Sequence, residues 1–200
     1  GLNCESGLTY DGSTLTVTGD LAVSGIIVQT VYTKLTSAIV ESSSDYVKIG
    51  GDENFHVDIT PKSSNSKILI STTVHVGAEL GIRFWTIRLY RGINTTSTTE
   101  ITDAKNNDTG IRSCFMSSTW GAGNDGDGDT IRTNEFVSNV SNTYLDSPNT
   151  TTQVRYELYI NPAPHLNSSY SVYINRPYNV SDQARPHPIS FICAQEIYYP

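Results

Sequence analysis

The sequence predicts an all-β protein, an antiparallel β-sandwich of jelly-roll-like form. Apolar and polar residues alternate in short segments, and stretches rich in Asn, Gly, Ser and Pro separate those segments. This is the pattern of half-buried strands joined by turns. Ser and Thr make up roughly a quarter of the 200 residues, and Thr is favoured on the pleated faces of sheets. No helical pattern of about ten residues or more is present, so strands must form the core.

The first 25 residues differ from the rest of the chain. Two alternating segments, STLTVTGD and GDLAVSG, share a Gly19-Asp20 turn and offer only small apolar side chains on one face. A lone two-stranded unit is marginally stable in water. We therefore predict that residues 1–25 form a short β neck that folds when copies from neighbouring chains cover it. Residues 26–200 are predicted to form the globular head.

The head contains about nine predicted strands with turn signals between them. They fall within residues 26–40, 55–60, 67–76, 82–91, 111–120, 130–147, 153–161, 169–175 and 189–199. Residues 92–111 are rich in Asn and Thr and are predicted to be a long loop. Turn signals indicate which strands are neighbours in the chain but not how they cross, so the strand order stays open.

Two strand patterns indicate which side chains enter the core. In KILISTTVHV, alternation places every second residue from Ile68 to Val76 on one face. The aromatic residues of the strands are expected to fill the core or subunit interfaces, and the main candidates are Phe84, Trp85, Tyr156 and Tyr159.

Charge and hydropathy exclude two classes of partner. The chain has 13 Lys and Arg against 20 Asp and Glu, a net charge of -7, and the basic residues are scattered. Binding to a phosphate backbone needs clustered basic residues, so nucleic acid is not an expected partner. No apolar stretch approaches the ~18 residues of a membrane span, so membrane insertion is not expected either.

The three cysteines do not form a framework. Cys4, Cys114 and Cys193 are an odd, sparse set without the spacing of a disulfide scaffold or a zinc site. Cys114 and Cys193 lie in apolar strand patterns and are predicted to be buried as small hydrophobic residues.

The segment NDGDGDT contains the candidate metal ligands. Asp125, Asp127 and Asp129 alternate with glycines, a spacing that can direct carboxylates toward Ca²⁺. The EF-hand pattern fails, because Thr130 and Phe136 stand where it requires Gly and Glu. Two interpretations stay open: a flexible, solvated acidic loop without a cofactor, or a Ca²⁺ site.

Receptor contacts are expected in two long loops, because a rigid sandwich usually carries recognition in the loops at its ends. The loops are WGAGNDGDGDT and NRPYNVSDQARPHP, and the candidate receptor-binding residues in them are Trp120, Asn124, Tyr178 and Arg185. An exposed Trp120 would stack on a sugar ring beside polar groups that bind hydroxyls. The alternative is that Trp120 caps the core at the end of a strand.

The sequence offers no catalytic set, and we do not expect an enzyme. No nucleophile elbow of the G-x-S-x-G type occurs. Glycoside cleavage needs two paired carboxylates, and the pattern singles out no pair among Asp103, Asp108, Asp146 and Glu157.

Several segments together resemble a family of virion proteins of tailed phages, especially those of marine and cyanobacterial phages. GLTYDGSTLTVTGDLAVSG resembles the segments that precede terminal domains of tail fibers. VDITPKSSNSKILIS resembles the opening of a C-terminal domain common in such proteins, and its later blocks resemble TYLDSPNTTTQVRYELYI, VYINR and AQEIYYP. The motifs consist of strands and turns, and the likeness covers most of the chain.

The resemblance implies a function as well as a fold. It implies a homotrimeric fiber tip on the virion surface, assembled in the host cytoplasm, that attaches the particle by binding a host-cell receptor such as a polysaccharide. One alternative is a capsid decoration or head-fiber protein, which would share the fold but bind virion partners. A second is a glycan-degrading spike, although such spikes are typically long, repetitive β-helices.

Overall fold

A computed structural model describes residues 8–17, 24–51, 54–78, 84–106, 113–119, 137–162, 164, 170–178 and 187–200. These residues form β-strands and one 3-10 turn, Thr102–Ala104. The strands are β1 (Leu8–Tyr10), β2 (Leu15–Val17), β3 (Ile27–Leu35), β4 (Ile39–Ser43), β5 (Val47–Lys48), β6 (His56–Ile59), β7 (Lys67–Ala78), β8 (Phe84–Ile93), β9 (Thr99–Glu100), β10 (Met116–Thr119), β11 (Ser138–Asp146), β12 (Val154–Asn161), β13 (Tyr170–Ile174) and β14 (Ser190–Ile197). No helix in the described part of the chain is long and apolar enough to span a membrane.

Strands β3 to β14 form two antiparallel sheets, which are the two layers of the sandwich. Each layer is four rows wide, where a row is either one long strand or two short strands placed end to end. In the first layer, β3 and β4 share one row, β14 and β13 share the next, and β7 and β11 follow. In the second layer, β5 and β6 share a row beside β12, then come β8 and a row shared by β9 and β10. The split rows β13/β14, β5/β6 and β9/β10 lie along the unbroken strands β7, β12 and β8, and the β3/β4 row lies along β14 and β13.

The order of the rows is that of a jelly roll. Numbered along the chain, the eight rows are β3/β4, β5/β6, β7, β8, β9/β10, β11, β12 and β13/β14. The first layer then has the order 1-8-3-6 and the second 2-7-4-5. This double Greek-key order confirms the predicted antiparallel, jelly-roll-like β-sandwich.

The core lies between the layers, where alternation along each strand directs apolar side chains. Every second residue of β7 from Ile68 to Val76 is buried, as predicted, and the strand faces the inner residues of β8 and β12. Trp85 and Tyr156 are completely buried, which confirms the core prediction for these two aromatic residues. Tyr159 instead lies on the outer face of the second layer, where it stacks on Tyr90 with ring centroids 4.0 Å apart.

The prediction that Cys114 and Cys193 are buried was wrong in its extent. Cys114 and Cys193 are both half-buried and carry free thiols. Cys193 lies at an outward position of β14, opposite Tyr32 on one side and Ser71 on the other. The apolar residues on either side of Cys193 in the sequence suggested that it is buried. Side chains alternate along the strand, however, so those neighbours point inward and Cys193 points outward.

The structure describes an amino-terminal hairpin that lies before the predicted Gly19-Asp20 turn. β1 pairs with β2, and the turn between them is held by Asp11, whose carboxylate accepts hydrogen bonds from the backbone of Ser13 and Thr14. The predicted turn at Gly19-Asp20 lies outside the described residues. Beyond it, the Gly25 N–H donates to Tyr198 O at 2.7 Å, so residues 25–26 extend the first layer.

Candidate functional site

A polar pocket of about 320 Å³ opens at one corner of the sandwich. The corner is where the β9 row of the second layer approaches the end of β11 in the first layer. The 3-10 turn after β9 forms one wall, and the last residues of β11 form the other. The lining residues are Arg91, Glu100, Ile101, Thr102, Asp103, Tyr144, Leu145, Asp146 and Ser147.

The pocket floor is an ion pair between a buried carboxylate and a partly exposed arginine. Asp146 is 3% exposed, and its two oxygens accept hydrogen bonds from Arg91 Nη1, each at 2.8 Å. Tyr156 donates its hydroxyl to Asp146 Oδ2 at 2.7 Å. Burial, with the adjacent Asp146 charge, raises the pKa of Tyr156, so the phenol keeps its proton and remains a donor. Asp146 therefore fixes Arg91 in place.

A second ion-pair group fixes the wall formed by β9. Glu100 binds Arg88 Nη1 at 3.0 Å through one oxygen and Lys105 Nζ at 2.8 Å through the other. The Arg88 guanidinium in turn lies 4.1 Å from the ring centroid of Tyr46. The backbone adds to this, since Ile101 N donates to Leu89 O at 2.9 Å. The short β9 strand and its turn are thus held firmly against β8.

The rim of the pocket carries groups that are open to a ligand. Thr102, Asp103 and Ser147 are exposed, and none of them hydrogen-bonds through its side chain to another described residue. Tyr144 is half-buried, and its pKa is raised by burial and by the charges of Asp146 and Asp103, so it too presents an O–H group. Leu145 also borders the pocket and is 45% exposed.

This set of groups suits a polyhydroxylated ligand. Hydroxyl and carboxylate oxygens accept hydrogen bonds from sugar hydroxyls, while Arg91 and the Tyr144 hydroxyl donate. Arg91 is 30% exposed and uses only Nη1 for its bonds to Asp146.

The four carboxylates considered from the sequence fall in different places. The structure brings Asp103 and Asp146 to the same pocket. Glu157 lies on the outer face of the second layer, 2% exposed, where Lys48 Nζ binds it at 2.8 Å. Asp108 lies outside the described residues.

Six of the seven predicted site residues lie outside the described part of the chain. They are the receptor candidates Trp120, Asn124 and Arg185 and the metal candidates Asp125, Asp127 and Asp129. The Ca²⁺ site therefore stays a prediction. Within the described residues, no group of three His, Cys, Asp or Glu could hold a metal ion.

Tyr178, the seventh predicted residue, is described and lies far from the pocket. It is half-buried, with its ring edge-on to Tyr173 at a centroid distance of 5.2 Å. Tyr173 pairs with Gly77 near one end of β7, whereas Asp146 pairs with Ile68 at the other. The two places are about 30 Å apart along the strand. Sequence reasoning missed the pocket, because only the pairing of distant strands brings its two walls together.

Comparisons with known proteins give distant similarities only. No protein-family model matches the chain, and no curated protein matches it. Among solved structures, the chain is similar to infectious bursal disease virus of the Gt strain, with 8% identity and a TM-score of 0.41. It is also similar to the VP2 subviral particle of that virus and to the Gx strain, each at 9% identity, with TM-scores of 0.35 and 0.39. The alignments cover 95% of this chain but only 41–42% of the matched chains.

Proposed function

We propose that this chain is a virion surface protein that attaches the particle to its host by binding a cell-surface saccharide in the corner pocket. The observation that carries the proposal is the pocket itself, with open hydroxyl, carboxylate and guanidinium groups on rigid walls. The jelly roll supports it, because this fold is common to capsid and lectin domains. The phage-like segments of the sequence favour a fiber or a capsid projection as the parent structure.

The size of the pocket limits the ligand. Small-molecule sites typically measure about 300–1,000 Å³, so a pocket of about 320 Å³ suits one or two sugar rings. An open polar site of this kind binds weakly. Many copies on one particle compensate, since linked weak sites raise the overall avidity by orders of magnitude.

Binding to an array of bacterial surface polysaccharides tests the proposal. The full chain is coupled to beads, so that weak sites act together, and retention on each polysaccharide is measured. We expect retention to fall at least several-fold for Asp103→Ala and for Tyr144→Phe, because each removes a group at the pocket that can contact the sugar. Asp45→Ala is the matched control: it removes an exposed carboxylate outside the pocket and should bind normally.

Two results would count against the proposal. Retention unchanged in both pocket variants would place the saccharide elsewhere on the chain. Absence of binding by the unaltered chain across the array would contradict attachment through a saccharide and favour the capsid-decoration alternative.

A further inference from the structure

The outward side of the first layer, here called the first outer face, has no exposed carboxylate on its strands. Those strands contain three carboxylates, Glu41, Asp146 and Glu196, and all three are buried, at 9%, 3% and 0% exposure. For a chain of net charge -7 this is a marked segregation. A second protein surface can approach this face without meeting negative charge.

The outer face of the second layer has the opposite character. Arg155 binds Asp58 at 2.8 Å, Lys48 binds Glu157 at 2.8 Å, and Arg88 binds Glu100 at 3.0 Å. Covering these charged groups with an uncharged surface would remove several ions from water at considerable cost. The strands of the first outer face carry lysines, Lys34 and Lys67, at outward positions and no exposed carboxylate, so the two faces present different charge to a neighbour.

Four hydroxyls of the first outer face are already paired with one another. Ser42 and Ser171 share a hydrogen bond of 2.6 Å across β4 and β13, and Thr73 and Ser141 share one of 2.8 Å across β7 and β11. Hydroxyls that are already paired lose little when water leaves. Large apolar side chains stand among them, with Tyr32 63%, Val40 45% and Phe191 36% exposed.

A knob and a groove lie on the same cross-strand line of this face. Tyr32 is opposite Cys193, Cys193 is opposite Ser71, and Ser71 is opposite Thr143, so the line crosses all four rows. Tyr32 stands at one end of the line. At the other end is a shallow groove of about 360 Å³ between β7 and β11, bordered by Phe191.

We propose that the first outer face packs against the same face of a second copy of this chain. A two-fold axis that runs parallel to the strands leaves each residue of the second copy at the same position along the strand direction. It reverses the order of the rows across the face. It would therefore bring Tyr32 of each copy to the groove of the other. An identical patch on both partners is what a two-fold interface requires.

The area of the face is sufficient for a stable pair. β7 has 12 residues, so the face is about 40 Å long at about 3.3 Å per residue. Four rows about 4.8 Å apart make it about 19 Å wide. The product, about 760 Å², is close to the ~800 Å² that each partner contributes to a standard interface.

Sedimentation analysis of the full chain over a concentration series tests the pairing. We expect Tyr32→Glu and Phe191→Glu each to halve the mass of the assembly, because each buries a charge in the interface. Residues 1–25 are present in every sample, so any association that they cause is the same throughout. Ile93→Glu is the matched control: Ile93 is 40% exposed but lies on β8 of the second layer, and this variant should keep the full mass.

Two outcomes would overturn the pairing: a chain that sediments at its own mass of 21.9 kDa, or an assembly whose mass is unchanged in both face variants. Thiol labelling gives a second readout that does not depend on mass. Cys193 lies in the middle of the face, and Cys114 precedes β10 in the second layer. We expect maleimide to modify Cys193 several-fold faster in Tyr32→Glu than in the unaltered chain, with Cys114 unchanged. Equal Cys193 rates in the two proteins would also overturn the proposal.

Discussion

Three carboxylates turn inward from the first layer, and each is accommodated differently. Asp146 has Arg91 and the Tyr156 hydroxyl. Glu196, completely buried, accepts hydrogen bonds from the Gln29 amide and from the Lys62 backbone N–H. Among the described residues, Glu41 accepts a single hydrogen bond, from Gly50 N at 2.9 Å, and burial raises its pKa. Of these three acids, Glu41 is therefore the one that the fold accommodates least well in its charged form.

Glu41→Gln is expected to stabilise the protein at neutral pH by about 1 kcal/mol, because it removes a poorly paired buried charge and keeps the acceptor for Gly50. The folded pKa of Glu41 lies above its unfolded value of 4.5. The charged form of Glu41 therefore does not lower the free energy of unfolding below the unfolded pKa. The loss grows as pH rises through the folded pKa. Melting temperatures should favour the variant by about 2–4 °C at pH 7 and converge near pH 4.

Glu196→Gln is the contrasting control for Glu41→Gln. Here the new side-chain NH₂ would face the Gln29 amide, which is itself a donor, so we expect a loss of about 1–2 kcal/mol. A Glu41→Gln variant that melts below the unaltered protein at pH 7, or whose advantage persists unchanged to pH 4, would contradict the account of this site.

At the scale of elements, the sequence predicted long strands well and short ones poorly. Alternation over ten residues located β7 and its buried face, because burial on one side leaves a regular pattern. β5 and β9 have two residues each, too few for any pattern, and they form because β12 and β8 offer free edges. The corner pocket depends on β9 and on the pairing of β11 with β7, so it could not be predicted from local sequence.

Gly77, near the end of β7, is the element-scale position most sensitive to change. A Cβ there would lie 2.4 Å from Arg176 O and 2.9 Å from Pro177 Cα, both backbone atoms. Gly77→Ala must displace that segment or the strand, and we expect a loss of about 1–3 kcal/mol in denaturant unfolding. Lys67→Ala, at the outward-facing start of the same strand, should stay within about 0.5 kcal/mol. Equal stabilities of the two variants would show that the contact yields without cost.

At the scale of the whole molecule, charge and polarity distinguish the two outer faces and the corner pocket. The first outer face is free of exposed carboxylates and suits a second copy, the second outer face is covered by ion pairs, and the corner pocket stays open to a ligand. Three-fold association through residues 1–25 stays a prediction. The receptor candidates Trp120, Asn124 and Arg185 likewise stay predictions, because they lie outside the described residues.

Saccharide binding in the corner pocket is the central claim, and hydrogen exchange tests it most directly. Amide exchange of the full chain is followed by mass spectrometry with and without the polysaccharide that the array selects. We predict slower exchange in residues 99–104 and 144–147, the two walls of the pocket, and no change in β3 and β14 of the first outer face. Protection confined to other segments, with both pocket walls exchanging as before, would contradict the claim.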